Sequence, residues 1–94
     1  MLQVFTNNAG EIRLSGRFDA AQVEKARGFF RQVEQSSTID FAEVDYISSA
    51  GLGVLLETQK RLDATGQRLR LVNLNPLIKN VFWIAGFNAV FEIE

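Results

Sequence analysis

The chain has 94 residues, of which 47% are hydrophobic and 22% charged, and its formal net charge is −1. It contains no cysteine and no histidine, which excludes disulfides, thiolate nucleophiles, Ser-His-Asp triads and the commonest metal ligand. The length predicts one domain over residues 1–94, and the dispersed charge gives no indication of a nucleic-acid partner.

The chain begins with two strand patterns joined by a turn. Residues 2–6 alternate loosely between polar and apolar, residues 7–10 are rich in turn-forming types, and residues 11–15 alternate cleanly. Residues 16–19 then end the second strand. These features predict an antiparallel β-hairpin at the N-terminus.

A helical pattern follows the hairpin. Asp19 is typical of an N-cap, and Gln22 three positions later indicates a capping box. Ser36 and Ser37 interrupt the helical pattern, and residues 38–42 alternate as a third strand. The apolar residues that keep helical spacing in the first helix are Val23, Ala26, Phe30 and Val33.

Two more strand–helix units are predicted. Gly66 has the position of a C′ residue after the second helix, residues 68–72 read as a fourth strand, and Pro76 opens a short third helix. Gly86 ends that helix and residues 90–93 form the last strand. The buried side of the second helix is predicted to carry Leu52, Leu55, Leu56 and Leu62.

The element order β-β-α-β-α-β-α-β defines the fold class. Strands that alternate with helices of this length predict an α/β sandwich with a mostly parallel sheet of about five strands. The opening hairpin adds an antiparallel strand at one edge. No apolar run is long enough to span a membrane and no signal sequence is visible, so we expect a cytoplasmic protein without direct membrane insertion.

The segment between the third strand and the second helix, residues 48–53, is the most informative part of the chain. Its small residues stand where backbone N–H groups and the positive end of a helix dipole are exposed. An anion-binding loop, a phosphorylated serine and a serine N-cap are all compatible with this position. Spacing alone favours the N-cap, because the segment lacks the Gly-Lys-Ser/Thr ending of a P-loop.

Other polar and aromatic residues also have a functional and a structural interpretation. Asp19 is either an acidic contact beside the serine segment or a helix cap, and capping is favoured. Phe82 and Phe87 are expected in the core, and Trp83 is the residue most expected to lie outside it. No nucleophile stands beside a general base, so neither an enzyme nor a cofactor is expected. Three carboxylates near the end of the third strand are compatible either with a magnesium site or with ordinary solvated charges, and the second interpretation is favoured. They are Asp40, Glu43 and Asp45.

Five segments, taken in order, resemble the STAS domain of bacterial anti-sigma factor antagonists. The resemblance covers nearly the whole chain and implies the small α/β sandwich described above. The segments are residues 14–19 (LSGRFD), 39–53 (IDFAEVDYISSAGLG), 66–73 (GQRLRLVN), 75–82 together with 86–87, and 91–93.

The resemblance implies a mechanism. In this family a partner kinase, the anti-sigma factor, phosphorylates a serine in an Asp-Ser-Ser-Gly motif, and the unphosphorylated antagonist binds that kinase. Aligned on Gly51, the acceptor is Ser49, whereas Ser48 stands in place of the aspartate and is a less favoured acceptor. Ala50 replaces the second serine. The residues implied in partner binding are Asp19, Ser48, Ser49, Ala50, Gly51, Leu52 and Gly53.

The resemblance leaves two functions open. The first is an anti-sigma factor antagonist that is released from its serine kinase by phosphorylation at Ser49 and reset by a phosphatase. The second is a STAS subunit that does not switch and regulates a lipid-transport ATPase complex in a membrane. In the second case Ser49 is an interface residue that is never modified.

Overall fold

A computed structural model describes residues 1–94. Short 3₁₀ helices precede α1 and β5, at Ala20–Gln22 and Phe87–Ala89. No helix has the length and apolar composition needed to cross a membrane. The regular elements, in chain order, are β1 (Leu2–Thr6), β2 (Ile12–Phe18), α1 (Val23–Phe30), β3 (Ser37–Ile47), α2 (Ser49–Asp63), β4 (Leu69–Val72), α3 (Pro76–Ile84) and β5 (Glu92–Ile93).

The strands form one sheet of five, in the order β1-β2-β3-β4-β5. β1 is antiparallel to β2, and every other neighbouring pair is parallel, which confirms the predicted edge hairpin and mostly parallel sheet. The prediction that the second strand ends within residues 16–19 is confirmed, because β2 ends at Phe18. β2 continues through Gly16 to Phe18, because a left-handed glycine and a register shift against β3 keep the strand paired.

One apolar cluster joins the helices to one face of the sheet. Alternate strand residues such as Ile12, Ile39 and Leu71 pair side by side in this layer and are buried. Phe82 of α3 is fully buried and makes edge-to-face contacts with Phe41, Phe87 and Phe91. Leu56, which was predicted on the buried side of α2, is only half-buried.

The start of α1 differs from the predicted capping box. Asp19 caps the short 3₁₀ helix instead, where its Oδ1 accepts from the Ala21 N–H at 3.1 Å. The Gln22 side chain turns away to β1, and its Oε1 accepts from the Leu2 N–H at 3.2 Å. At the other end of α1, the Arg61 guanidinium of α2 donates to the carbonyl of Phe30 at 2.7 Å. A side chain from α2 therefore satisfies a carbonyl at the C-terminal end of α1, whereas the first turn of α1 has no side-chain cap.

Asp40 is not the solvated strand-end charge that the sequence favours. Asp40 is only 8% exposed, and its carboxylate accepts hydrogen bonds from Arg13, from the Asn73 amide and from the Ala42 N–H. Burial acts to raise the pKa of Asp40, but these three donors outweigh burial and hold the pKa below its usual value. No group of three or more Asp and Glu side chains is placed to hold a metal ion. Asp40 thus ties β2 and β3 to the end of β4.

Candidate functional site

The serine segment and Asp19 lie at the same edge of the sheet. β2 and β3 are parallel and end together, with Phe18 opposite Ile47 in the register. The Ser48 N–H extends this pairing by donating to the Phe18 carbonyl at 2.9 Å. Asp19 therefore follows one strand where Ser48 follows its neighbour, at the carboxyl edge where sites form in open α/β sheets.

The two serines have different roles in the structure. Ser48 is the N-cap of α2: its extended backbone allows its Oγ to accept from the Gly51 N–H at 3.1 Å. Ser49 is the first helical residue, it is exposed, and its hydroxyl forms no hydrogen bond with another residue of the chain. Ser48 alone supplies the side-chain cap of α2, which leaves the Ser49 hydroxyl without a hydrogen-bond partner in the chain.

Asp19 is half-exposed beside this segment. One carboxylate oxygen caps the 3₁₀ helix, while Oδ2 lies 3.6 Å from Nε of Arg17. The structural and the functional interpretations of Asp19 are therefore compatible, because one oxygen is held and the side chain still reaches solvent. The structure places Asp19 and Ser48 at one edge of the sheet.

The remaining residues of the predicted site divide into a buried and an exposed set. Gly51 and Leu52 are buried and hold the first turn of α2 against the sheet. Ala50 is exposed next to Ser49, and Gly53 is half-exposed. The surface open to a partner is therefore formed by Asp19, Ser48, Ser49, Ala50 and Gly53.

The two glycines of α2 offer a direct test of this division. A Cβ at Gly51 would lie 2.9 Å from Cδ1 of Phe18 and 3.1 Å from Cγ1 of Ile47, whereas a Cβ at Gly53 would meet nothing within 4 Å. Alanine at Gly53 is expected to stabilise the free chain by about 0.5–1 kcal/mol through helix propensity. Alanine at Gly51 gains the same propensity but overpacks the core, for a net loss of about 1–2 kcal/mol.

Urea unfolding of the two variants beside the wild type measures this difference. The midpoint is expected to rise for Gly53→Ala and to fall for Gly51→Ala. Equal shifts in the same direction would contradict the close approach of α2 to Phe18.

Sequence patterns missed part of the exposed surface. Leu77 and Ile84 of α3 are 77% and 80% exposed, and Trp83 is 50% exposed, as was expected of that residue alone. Leu77, Val81 and Ile84 follow helical spacing on the side of α3 away from the buried Phe82, and no role for this stripe was predicted from the sequence. Such a group of exposed apolar side chains is typical of an interaction surface.

The fold and the site define a STAS domain with its serine-bearing loop at the carboxyl edge of the sheet. The family model described as "Mlab, STAS domain" matches residues 1–92. The chain belongs to the STAS-domain family, and within it to the anti-sigma factor antagonist group.

A relative from Bordetella bronchiseptica supports this placement within the family. It is named "Putative anti-sigma factor antagonist BtrV" and is 37% identical over 92 residues, which cover 98% of this chain and 72% of the relative.

Solved structures confirm the fold. The phosphorylated form of the Bacillus cell fate determinant SpoIIAA has a TM-score of 0.72 at 20% identity, covering 100% of this chain and 91% of that chain. An antagonist homologue from Thermotoga maritima has a TM-score of 0.80 at 15% identity, covering 99% of this chain and 85% of that chain. At these identities the likeness concerns the fold alone.

Proposed function

We propose that this protein is an anti-sigma factor antagonist that acts by partner switching. The unphosphorylated chain binds an anti-sigma factor that is a serine kinase, and phosphorylation of Ser49 releases it. The observation that carries this proposal is that the two serines differ in their hydrogen bonding. Ser48 caps α2, whereas Ser49 is exposed and its hydroxyl has no hydrogen-bond partner in the chain. We propose that partner binding and release take place in the cytoplasm, and that a phosphatase removes the phosphate from Ser49.

The position of Ser49 suits a reversible phosphate. A phosphoserine in the first turn of α2 places nearly two negative charges beside free N–H groups and the positive end of the helix dipole. The fold therefore tolerates the modification. A bound partner does not, because a dianion enclosed in an interface loses hydration and repels nearby negative charge.

The exposed surface is better suited to binding a partner protein than to catalysis. The site has an exposed serine hydroxyl but no general base placed beside it, since the nearby Asp19 is engaged by Ala21 and Arg17. The kinase, its ATP and its Mg²⁺ would come from the partner. The exposed apolar side chains of α3 offer further contact area on the same chain.

A second candidate function is a STAS subunit that regulates a lipid-transport ATPase without switching. The substitutions at the acceptor motif favour it, since Ser48 stands where the resembled motif has an aspartate and Ala50 where it has a serine. In that case Ser49 contacts the ATPase and is never phosphorylated. The two functions differ in the chemical state of Ser49 and in the class of partner that the chain binds.

Phosphate transfer tests the proposal. The purified chain is incubated with ATP, Mg²⁺ and the purified kinase that it retains from extract, and the product is mapped by mass spectrometry. We expect one phosphate on Ser49, none on Ser49→Ala, and undiminished transfer to Ser48→Ala at a temperature where that variant is folded. Phosphate on Ser48, or transfer to Ser49→Ala, would contradict the assignment of the acceptor.

A further inference from the structure

An arginine and a tyrosine form an exposed pair beside the serine segment. Arg17 and Tyr46 are opposite each other in the register of β2 and β3, one position before Phe18 and Ile47. The Arg17 guanidinium carbon lies 4.1 Å from the centre of the Tyr46 ring, a cation–π geometry. The Arg17 side chain is 54% exposed, and Tyr46 is 38% exposed.

The guanidinium of this pair has unused donors. Its one charged neighbour is Asp19, whose Oδ2 lies 3.6 Å from Nε, beyond a hydrogen bond. No hydrogen bond within the chain uses the remaining N–H groups of Arg17. A guanidinium presents these groups as a planar fork, which matches a carboxylate with two parallel hydrogen bonds.

The pair is also pre-organised for binding. Stacking on Tyr46 restricts the rotamers of Arg17 before any partner arrives, so less side-chain entropy is lost on association. Arginine and tyrosine are the residue types that most often dominate protein interfaces. The pair lies at the carboxyl ends of β2 and β3, the edge of the sheet from which Ser48 and the proposed acceptor follow.

We propose that Arg17 and Tyr46 form a docking pad for a carboxylate side chain of the partner protein. This inference rests on the proposed function and names the chemistry that the partner presents beside Ser49. It also gives the switch a physical cause. A phosphate on Ser49 would add negative charge at the same edge of the sheet as the partner's carboxylate, and the two groups would repel each other.

Binding measurements with the purified partner retained by the wild-type chain test the pad. We expect Arg17→Gln and Tyr46→Leu each to weaken binding by about tenfold or more, with only partial recovery in Arg17→Lys. The control is Arg31→Gln, which removes one exposed positive charge at the far end of α1 and is expected to change the Kd by less than about twofold. The salt dependence of binding should fall for Arg17→Gln and not for Arg31→Gln.

The outcomes separate this inference from the proposed function. If Ser49→Asp abolishes binding while Arg17→Gln binds as the wild type does, the partner switch stands and the docking pad is overturned. If Arg17→Gln leaves the Kd unchanged but shifts the ³¹P resonance of the phosphorylated chain, Arg17 serves the phosphoserine instead, and the pad is again overturned. Retention of no partner by the wild type overturns both. Far-UV circular dichroism and unfolding midpoints confirm that each variant is folded.

Discussion

Gly16→Ala is expected to destabilise the chain by about 3–4 kcal/mol, a large part of the 5–15 kcal/mol typical of a folded domain. Gly16 has a φ of +97°, and a Cβ there would lie 2.1 Å from the Met1 carbonyl oxygen. The left-handed backbone contributes about 1–2 kcal/mol of this loss. The clash contributes the rest, because the start of β1 must move and Leu2, which is fully buried, loses about 2 kcal/mol of burial.

Gly10→Ala is the matched control for Gly16→Ala. Gly10 has a φ of +82°, but nothing lies within 4 Å of its added Cβ. It therefore shares the backbone cost without the clash, and a loss of about 1–2 kcal/mol is expected. Urea unfolding at equilibrium measures both variants. Equal losses of stability in the two variants would contradict the close approach of Gly16 to the Met1 carbonyl.

Ser49→Asp is expected to weaken partner binding at least 100-fold, or about 2.7 kcal/mol, because the proposed switch requires an uncharged side chain at this position of the interface. The same change leaves the fold intact. Ser49 is exposed in the first turn of α2, where a carboxylate stabilises a helix by about 0.3–1 kcal/mol. A titration of the purified partner, with an unfolding curve for each variant, separates the two effects.

The control for charge is Gln35→Glu, which adds one negative charge at an exposed position. Gln35 precedes the amino end of β3, whereas Ser49 follows its carboxyl end. Its affinity for the partner is expected to equal that of the wild type within about twofold at physiological salt, since the added charge lies beyond the screening length from Ser49. Equal weakening by Gln35→Glu and Ser49→Asp would show a general charge effect and not a switch at Ser49.

The sequence predicts those parts of the fold that depend on local patterns. Pro76 opens α3, Gly66 and Gly86 follow α2 and α3 with positive φ, and strand–helix alternation yields the parallel sheet. These features depend on residues near one another in the chain. The resemblance of the serine segment to a family motif assigns the acceptor role to Ser49, and that assignment stays a prediction.

Other features depend on neighbours that are distant in sequence. Asp40 is buried because Arg13 and Asn73 come from other segments to pair with it. Which serine caps α2 depends on the backbone angles of Ser48, which alternating residue types do not encode. The Arg17–Tyr46 pair arises from the β2–β3 register, which includes shifts that spacing along either strand does not reveal.

The most direct test of the central claim is a capture experiment with two baits. Wild-type chain and Ser49→Asp are used in parallel on extract of the native cells, and the retained proteins are identified by mass spectrometry. The account predicts a serine kinase of the anti-sigma factor type that is held by the wild type and lost with Ser49→Asp. An ATPase or transporter subunit held equally by both baits would contradict the switch at Ser49, although the STAS fold would stand.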